Sequence, residues 1–346
     1  MTDISIYKCT PRQVKGFVED CLYAGLVPYV QSSPGMGKSS IMRNITKDLN
    51  LKLIDHRLST SAPEDMSGLP QFDSNGFARF APFSDLFPIE ATPLPEGKDG
   101  WMLFLDEFNS ATRPVQAACY KLILDRMTGQ HNLHKNVVIT AAGNLSTDKA
   151  ITNPISTAMQ SRVVHLEMEI NFKEWLEDVA LTESYDSRII AYLSQYPSRL
   201  MDFDPDHNEK TFCCPRTWEF VNKLIQGKEV SSWMAPLLAG TVTSGIAVDF
   251  IQFTKVFANM ISVKEILRDP NGCNIPQDNA TRWAVITHLM EKITEDTLKD
   301  IATYVNRFTV DFRILFFRSI LVKHKALRHH PAYTGAMADL SRYLAS

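Results

Sequence analysis

Three short apolar runs, each closed by polar residues, organise the first half of the chain. The first ends at Tyr29-Val30 and passes into Gln31-Ser-Ser-Pro-Gly-Met-Gly-Lys-Ser, after which a helix opens. The second is Trp101-Met-Leu-Phe-Leu, closed by Asp106-Glu107, and the third is Val137-Val-Ile-Thr-Ala-Ala142, closed by Gly143-Asn144. Unbroken apolar runs of this kind are strands buried on both faces, as in a parallel sheet covered by helices. Ligands of such sheets bind outside the carboxyl ends of the strands, where these runs place their polar groups. The later chain has a different period. Phe172-Lys-Glu-Trp-Leu, Arg188-Ile-Ile-Ala-Tyr-Leu and Thr217-Trp-Glu-Phe-Val-Asn-Lys-Leu-Ile predict amphipathic helices. Residues 239–250 predict a loop leading into a helix, and helical periodicity then continues with breaks at Asp269-Pro-Asn-Gly and Pro276.

The first polar segment is the most specific chemical signal. A strand, a Pro/Gly loop and a helix opening at Gly37-Lys38-Ser39 together make an anion cradle, with backbone N–H groups and the helix N-terminus turned to phosphate. Ser33, Pro34, Gly35, Met36, Gly37, Lys38, Ser39 and Ser40 are the candidate nucleotide contacts. Lys38 supplies an ammonium over the phosphates and Ser39 a hydroxyl for Mg²⁺. The usual G-x-x-x-x-G-K-[ST] spacing is met except that Ser32 stands at the first glycine. Asp106 is placed to hold the Mg²⁺ shell, and Glu107 to polarise a water for in-line attack on a γ-phosphate. Asn144, able to donate to phosphate and accept from water, is the candidate for orienting that water. Arg162, at the junction after Ala158-Met-Gln-Ser, and Arg216, opening the helix at Pro215-Arg-Thr-Trp, are candidates to contact a γ-phosphate. Taken singly, each arginine is better explained as a solvated or structural ion pair.

Composition narrows the class. The 346 residues are 45% hydrophobic and 22% charged, enough for two or three domains with real cores. A formal net charge of −3 argues against a protein that coats nucleic acid. The first residues lack a basic segment and an apolar core, and no stretch reaches the roughly 18 apolar residues of a membrane span, so a cytoplasmic protein is expected. The six cysteines are scattered without CxxC spacing and read as reduced, mostly buried thiols. The glycines of Ala239-Gly-Thr-Val-Thr-Ser-Gly make no second nucleotide loop, having neither a preceding strand nor a following lysine. Arg313, Arg318, Lys323, Lys325 and Arg328 are interleaved with apolar residues and predict an amphipathic helix with a solvated basic face. His329 and His330 are adjacent and cannot chelate one metal from a helix.

The order of these features resembles the AAA+ ATPases, and among them the MoxR family. The resemblance rests on GMGKSS, LDEFNSATRPVQAACYKLILDR, AAGN, the Arg162 junction and the Pro215-Arg216-Thr-Trp helix, and covers about the first two thirds of the chain. Thr112-Arg113-Pro114 departs from the family, whose members more often carry paired prolines there. It implies a three-layer α/β P-loop NTPase core over 1–169, a helical lid over 170–228 and a helical C-terminal extension over 229–346. A hairpin inserted in the second core helix falls at about 70–82, with Asn75-Gly76 as its turn. A shorter hairpin falls at about 127–136. The resemblance further implies ATP and Mg²⁺ as cofactors, and a homo-hexameric ring with the hairpins toward its pore or one surface. In that ring Arg162 would act on a neighbour's nucleotide, and Arg126 resembles another position used across the interface. MoxR-like chaperones remodel or activate a protein client, typically with a von Willebrand factor A domain partner. A DNA-translocating or DNA-loading ATPase is the alternative, for which the hairpin offers Arg79, and a nucleotide-sensing scaffold without turnover is a third. No guanine-reading NKxD pattern is present, which favours ATP over GTP.

Overall fold

Both faces of the central strands are covered, as the unbroken apolar runs require. In the computed structural model, which describes residues 8–148 and 152–344, the first of two units spans Met1–Ile170. It runs β1 (Lys8–Cys9), α1 (Pro11–Tyr23), β2 (Pro28–Gln31), α2 (Lys38–Asp48), β3 (Leu51–Arg57), α3 (Pro63–Ser67) and a hairpin of β4 (Leu69–Phe72) and β5 (Ala78–Ala81). Next come β6 (Gly100–Asp106), α4 (Arg113–Leu124), a short hairpin of β7 (Met127–Thr128) and β8 (His131–Asn132), β9 (Val137–Gly143), α5 (Thr157–Gln160) and β10 (Val164–Met168). Residues 1–7, which carry most of the N-terminal reading, lie outside the described residues.

The six-stranded sheet has the order β1-β10-β2-β9-β6-β3, and every pairing in it is parallel. β2, β9 and β6 are therefore neighbours, which brings the phosphate loop, Asn144 and the Asp106-Glu107 pair to one sheet edge. Leu103 and Leu105 of β6 join Val115, Cys119 and Leu122 of α4 in one core. Met102 points the other way, where its sulfur meets the Thr46 hydroxyl of α2 at 3.2 Å. Helices thus cover both faces of the parallel sheet, a three-layer α/β architecture. α1 starts at a capping box in which Thr10 and Gln13 bond each other's backbone N–H, with Pro11 at its first turn.

The β4–β5 hairpin stands out from this core, with Phe72 75% and Phe77 70% exposed. Its turn is tied by Asp73, whose Oδ1 accepts from the N–H of Asn75 and of Phe77. The two hairpins are clasped at their bases. His131 bonds the Phe80 carbonyl at 3.1 Å, and the buried Thr128 hydroxyl donates to the Met66 carbonyl at 2.9 Å.

Among the described residues the elements of the second unit, Asn171–Ser346, are helices, with one isolated antiparallel bridge between Asp202 and Cys213. α6 (Phe172–Trp175) continues into a π turn (Leu176–Ala180) and is followed by α7 (Ser187–Gln195), α8 (Pro215–Ile225), α9 (Ala235–Val242) and α10 (Ser244–Thr254). α11 (Val263–Arg268), α12 (Asn279–Lys292), α13 (Leu298–Val305), α14 (Val310–Lys323) and α15 (Pro331–Leu344) complete it. Tyr192, Trp218, Phe250 and Phe253 build an aromatic centre, with Tyr192 to Phe250 at 5.2 Å, edge on. Arg199 lies over Tyr192 and Tyr196 and pairs with Asp249 at 2.7 Å.

Three expectations are corrected here. The segment from Ala239 is not a loop, because α9 runs to Val242 and the break falls on one residue, Thr243, at φ 92 and ψ 156. Gly240 sits inside that helix. The basic face of α14 is not simply solvated, since Arg318 pairs with Glu177, both mostly buried, and Lys323 is half-buried. His329 and His330 do not share a helix, because the 3₁₀ turn Lys325–His329 ends before α15 begins at Pro331. None of the six cysteines, all among the described residues, is in a disulfide, and only Cys273 is not buried.

Candidate functional site

The phosphate loop turns sharply because Gly35 and Gly37 adopt φ 78 and 91, a left-handed backbone that costs glycine nothing. Gly37 is the N-cap of α2, so Lys38 and Ser39 are the first helical residues and their backbone N–H groups have no helical partner. Ser32 is fully buried and bridges the loop to β9, its N–H donating to the Gly143 carbonyl at 3.3 Å. Lys38 Nζ donates to Ser32 O (2.9 Å), Ser32 Oγ (3.0 Å), Ser33 O (3.3 Å) and Asn144 Oδ1 (3.2 Å). The serine at the first glycine position is therefore part of the lysine's oxygen shell.

Ser39 Oγ donates to Asp106 Oδ2 at 3.1 Å, joining the helix start to the end of β6. Asp106 is 8% exposed, and its other oxygen accepts from the Glu107 N–H at 2.9 Å. Burial raises the Asp106 carboxyl above its ordinary value, and the hydrogen bonds from Glu107 N and Ser39 oppose that. A hydroxyl and a carboxylate this close are hard oxygen donors of the kind Mg²⁺ takes alongside water and phosphate oxygens. Among the described residues no three His, Cys, Asp or Glu gather into an all-protein metal cage.

Glu107 leaves the strand in a left-handed conformation, φ 54 and ψ 36, a strained turn for a residue with a side chain. Its Oε2 accepts a hydrogen bond from Ser59, in the 3₁₀ turn Leu58–Thr60 that follows β3. The register makes this possible, since β3 and β6 end together with Arg57 opposite Asp106. Asn144 is fixed by a reciprocal pair with Asn109. Asn109 Nδ2 donates to the Asn144 carbonyl at 2.7 Å, and Asn144 N–H donates to Asn109 Oδ1 at 3.1 Å. Gly143 lies against that amide and the Tyr29 hydroxyl. A Cβ there would stand 2.9 Å from Asn109 Cγ and closer still to both polar atoms. Neither Ser59 nor Asn109 carries a signal in the sequence strong enough to single it out. Asn109 was visible as the polar residue two positions past Glu107.

No family model matches the chain, and no curated protein matches it. Among solved structures it is similar to a point mutant of Thermotoga maritima RuvB, at 15% identity over 86% of this chain and 87% of the other, TM-score 0.35. It is also similar to a Cytophaga hutchinsonii protein described as an ATPase, at 12% identity over 89% and 78%, TM-score 0.35. The Thermotoga maritima RuvB Holliday junction branch migration motor is similar at 15% identity over 95% and 87%, TM-score 0.32. The fold class rests on the strand order and loop geometry rather than on these likenesses.

The two candidate arginines of the first unit have other partners. Arg162, at the end of α5, donates to the Ala158 carbonyl and Ser161 Oγ and lies over the Tyr120 ring at 5.0 Å. Arg126, left-handed at φ 53, donates to the Val137 carbonyl at the start of β9, and burial lowers its pKa. Arg216 is exposed in the first turn of α8, within the second unit.

Proposed function

We propose that the chain is a Mg²⁺-dependent ATPase of the AAA+ class, MoxR-like, that works as a homo-hexameric ring and couples hydrolysis to remodelling of a protein client. The observation that carries this is the meeting of Lys38, Ser39, Asp106, Glu107 and Asn144 at the carboxyl ends of β2, β6 and β9. In this reading the loop N–H groups and Lys38 hold the β- and γ-phosphates, and Ser39 and Asp106 hold Mg²⁺, which neutralises charge on the transferring phosphoryl group. Glu107 takes a proton from water as its oxygen attacks the γ-phosphorus and the bond to the ADP oxygen breaks. Asn144 aligns that water. Arg162 reaches a neighbour's γ-phosphate, with Arg216 and Arg126 as further candidates around the nucleotide. The second unit serves as lid over 170–228 and extension beyond it, and the work is cytoplasmic.

The exposed β4–β5 hairpin is the client element in this proposal, and the chain's protein partner carries a von Willebrand factor A domain. The hairpin's Arg79 is held by Asp73 at 3.1 Å, so the cation that would favour the DNA-translocating alternative is already paired. Among the described residues no helix is long and apolar enough to cross a membrane.

Glu107→Gln tests the chemistry. The variant should bind ATP and assemble, yet release no phosphate; retention of most of the activity would remove Glu107 as the base. Arg162→Ala should bind nucleotide normally and lose roughly 10³-fold in turnover, by the magnitude of arginine fingers. Mixed rings of the two variants should regain activity, and no recovery in demonstrably mixed rings would place Arg162 in its own subunit's site.

A further inference from the structure

A cavity of about 920 Å³ opens within the second unit, between the start of α7, the end of α12 and the end of α14. It lies within the roughly 300–1,000 Å³ range of small-molecule sites. Its charged lining is nearly self-cancelling. Arg188 spends its fork on Asp186, at 2.6 and 2.8 Å, and its remaining contacts go to the Ile225 and Lys228 carbonyls. His324 donates Nε2–H to the Met290 carbonyl at 3.1 Å, and burial lowers the pKa of His288.

Lys323 is the exception. It is half-buried at the end of α14, lines the cavity, and has no hydrogen bond or ion pair among the described residues. Glu291, exposed at the rim, attracts it without reaching ion-pair distance. Burial lowers the Lys323 pKa, so the ammonium is held at a cost that a ligand anion would offset. Phe257, Met260 and Val322, each partly exposed, give the same cavity an apolar wall.

We propose that this cavity binds a small molecule with one anionic head, seated on Lys323, and a short apolar body against Phe257, Met260 and Val322. A carboxylate on a short alkyl chain is the simplest such ligand. Titration calorimetry of the full chain with octanoate and with 1-octanol separates head from body. Octanoate should bind about tenfold or more tightly than the alcohol, and Lys323→Met, which keeps the stem, should abolish that difference while Lys323→Arg keeps it. Octanoate should also protect Lys323, and not exposed Lys52, from an amine-acylating reagent read by mass spectrometry. That measurement needs no variant. Equal binding of acid and alcohol to the native chain, an undiminished difference in Lys323→Met, its loss in Lys323→Arg, or no protection of Lys323 would each overturn the proposal.

Discussion

Replacing Gly143 by alanine should injure catalysis through Asn144 without touching any group that holds nucleotide. Ordinary carbon contact begins near 3.4 Å, and the added Cβ would fall 2.9 Å from Asn109 Cγ, nearer to its Oδ1 and nearer to the Tyr29 hydroxyl. Asn109 and Tyr29 must therefore yield by at least about half an ångström in a close-packed interior, where overpacking of this kind costs about 1–3 kcal/mol. They have little room to do so, being 5% and 1% exposed, and Tyr29 packs edge-on against Phe108 at 5.6 Å. In a unit of this size each kcal/mol lowers Tm by about 2–4 °C. The catalytic loss should be larger than the stability loss. Asn109 positions Asn144 through both halves of its amide, and misplacing a positioned group by about 1 Å can cost on the order of 10²-fold in rate. Phosphate release under saturating ATP reads the rate, and calorimetry reads Tm. A cycle with Asn144→Ala locates the effect. If Gly143 acts through Asn144, adding Gly143→Ala to Asn144→Ala should change turnover little, since the interaction is already gone. Turnover within twofold of wild type for Gly143→Ala alone, with Tm unchanged, would refute the reasoning, because the overlap would then have been absorbed without moving the asparagine.

Asp106→Asn should abolish Mg²⁺-dependent turnover yet leave Tm at pH 7 equal to or above that of the native chain. Burial raises the folded carboxyl's pKa above its unfolded value, so its ionised form opposes folding, and stability falls as pH rises through the folded value; the variant's advantage should shrink toward the pH range just above 3.8, and a lower Tm at pH 7 would sink the idea. Thr243→Gly should raise stability by on the order of 1 kcal/mol, because relief of a strained glycine-type backbone, about 1–3 kcal/mol, exceeds glycine's entropic cost of about 0.5–1 kcal/mol. Urea unfolding of the second unit measures it, and a decrease would mean that the threonine side chain supplies more than the strain removes.

The sheet was legible because burial on both faces writes the same unbroken apolar run at β6 and β9, and because strand ends and the phosphate loop are local in sequence. What tertiary contact decides was not legible. Ser59 meets Glu107 only because β3 and β6 end in register, and Asn109 meets Asn144 across 35 positions of chain. The clasp between the two hairpins depends on Thr128 and His131 reaching the backbone of Met66 and Phe80, which no spacing announces. α9 was misread because Gly240 and two threonines look like a loop, whereas the helix survives one glycine and breaks only at Thr243. The basic stretch on α14 was misread because Glu177, the partner of Arg318, is remote in sequence.

If nucleotide binds at this loop as proposed, the shell around Lys38 makes that binding an exchange of partners rather than the occupation of a bare charge. Four oxygens already surround the ammonium, two of them from Ser32 and one from Asn144. In that reading a phosphate would gain only the difference between its own oxygens and those it displaces, so Ser32 would bear on the affinity as well as the lysine. In the proposed mechanism a phosphate that drew the ammonium away would also release Asn144 Oδ1, which Lys38 otherwise engages.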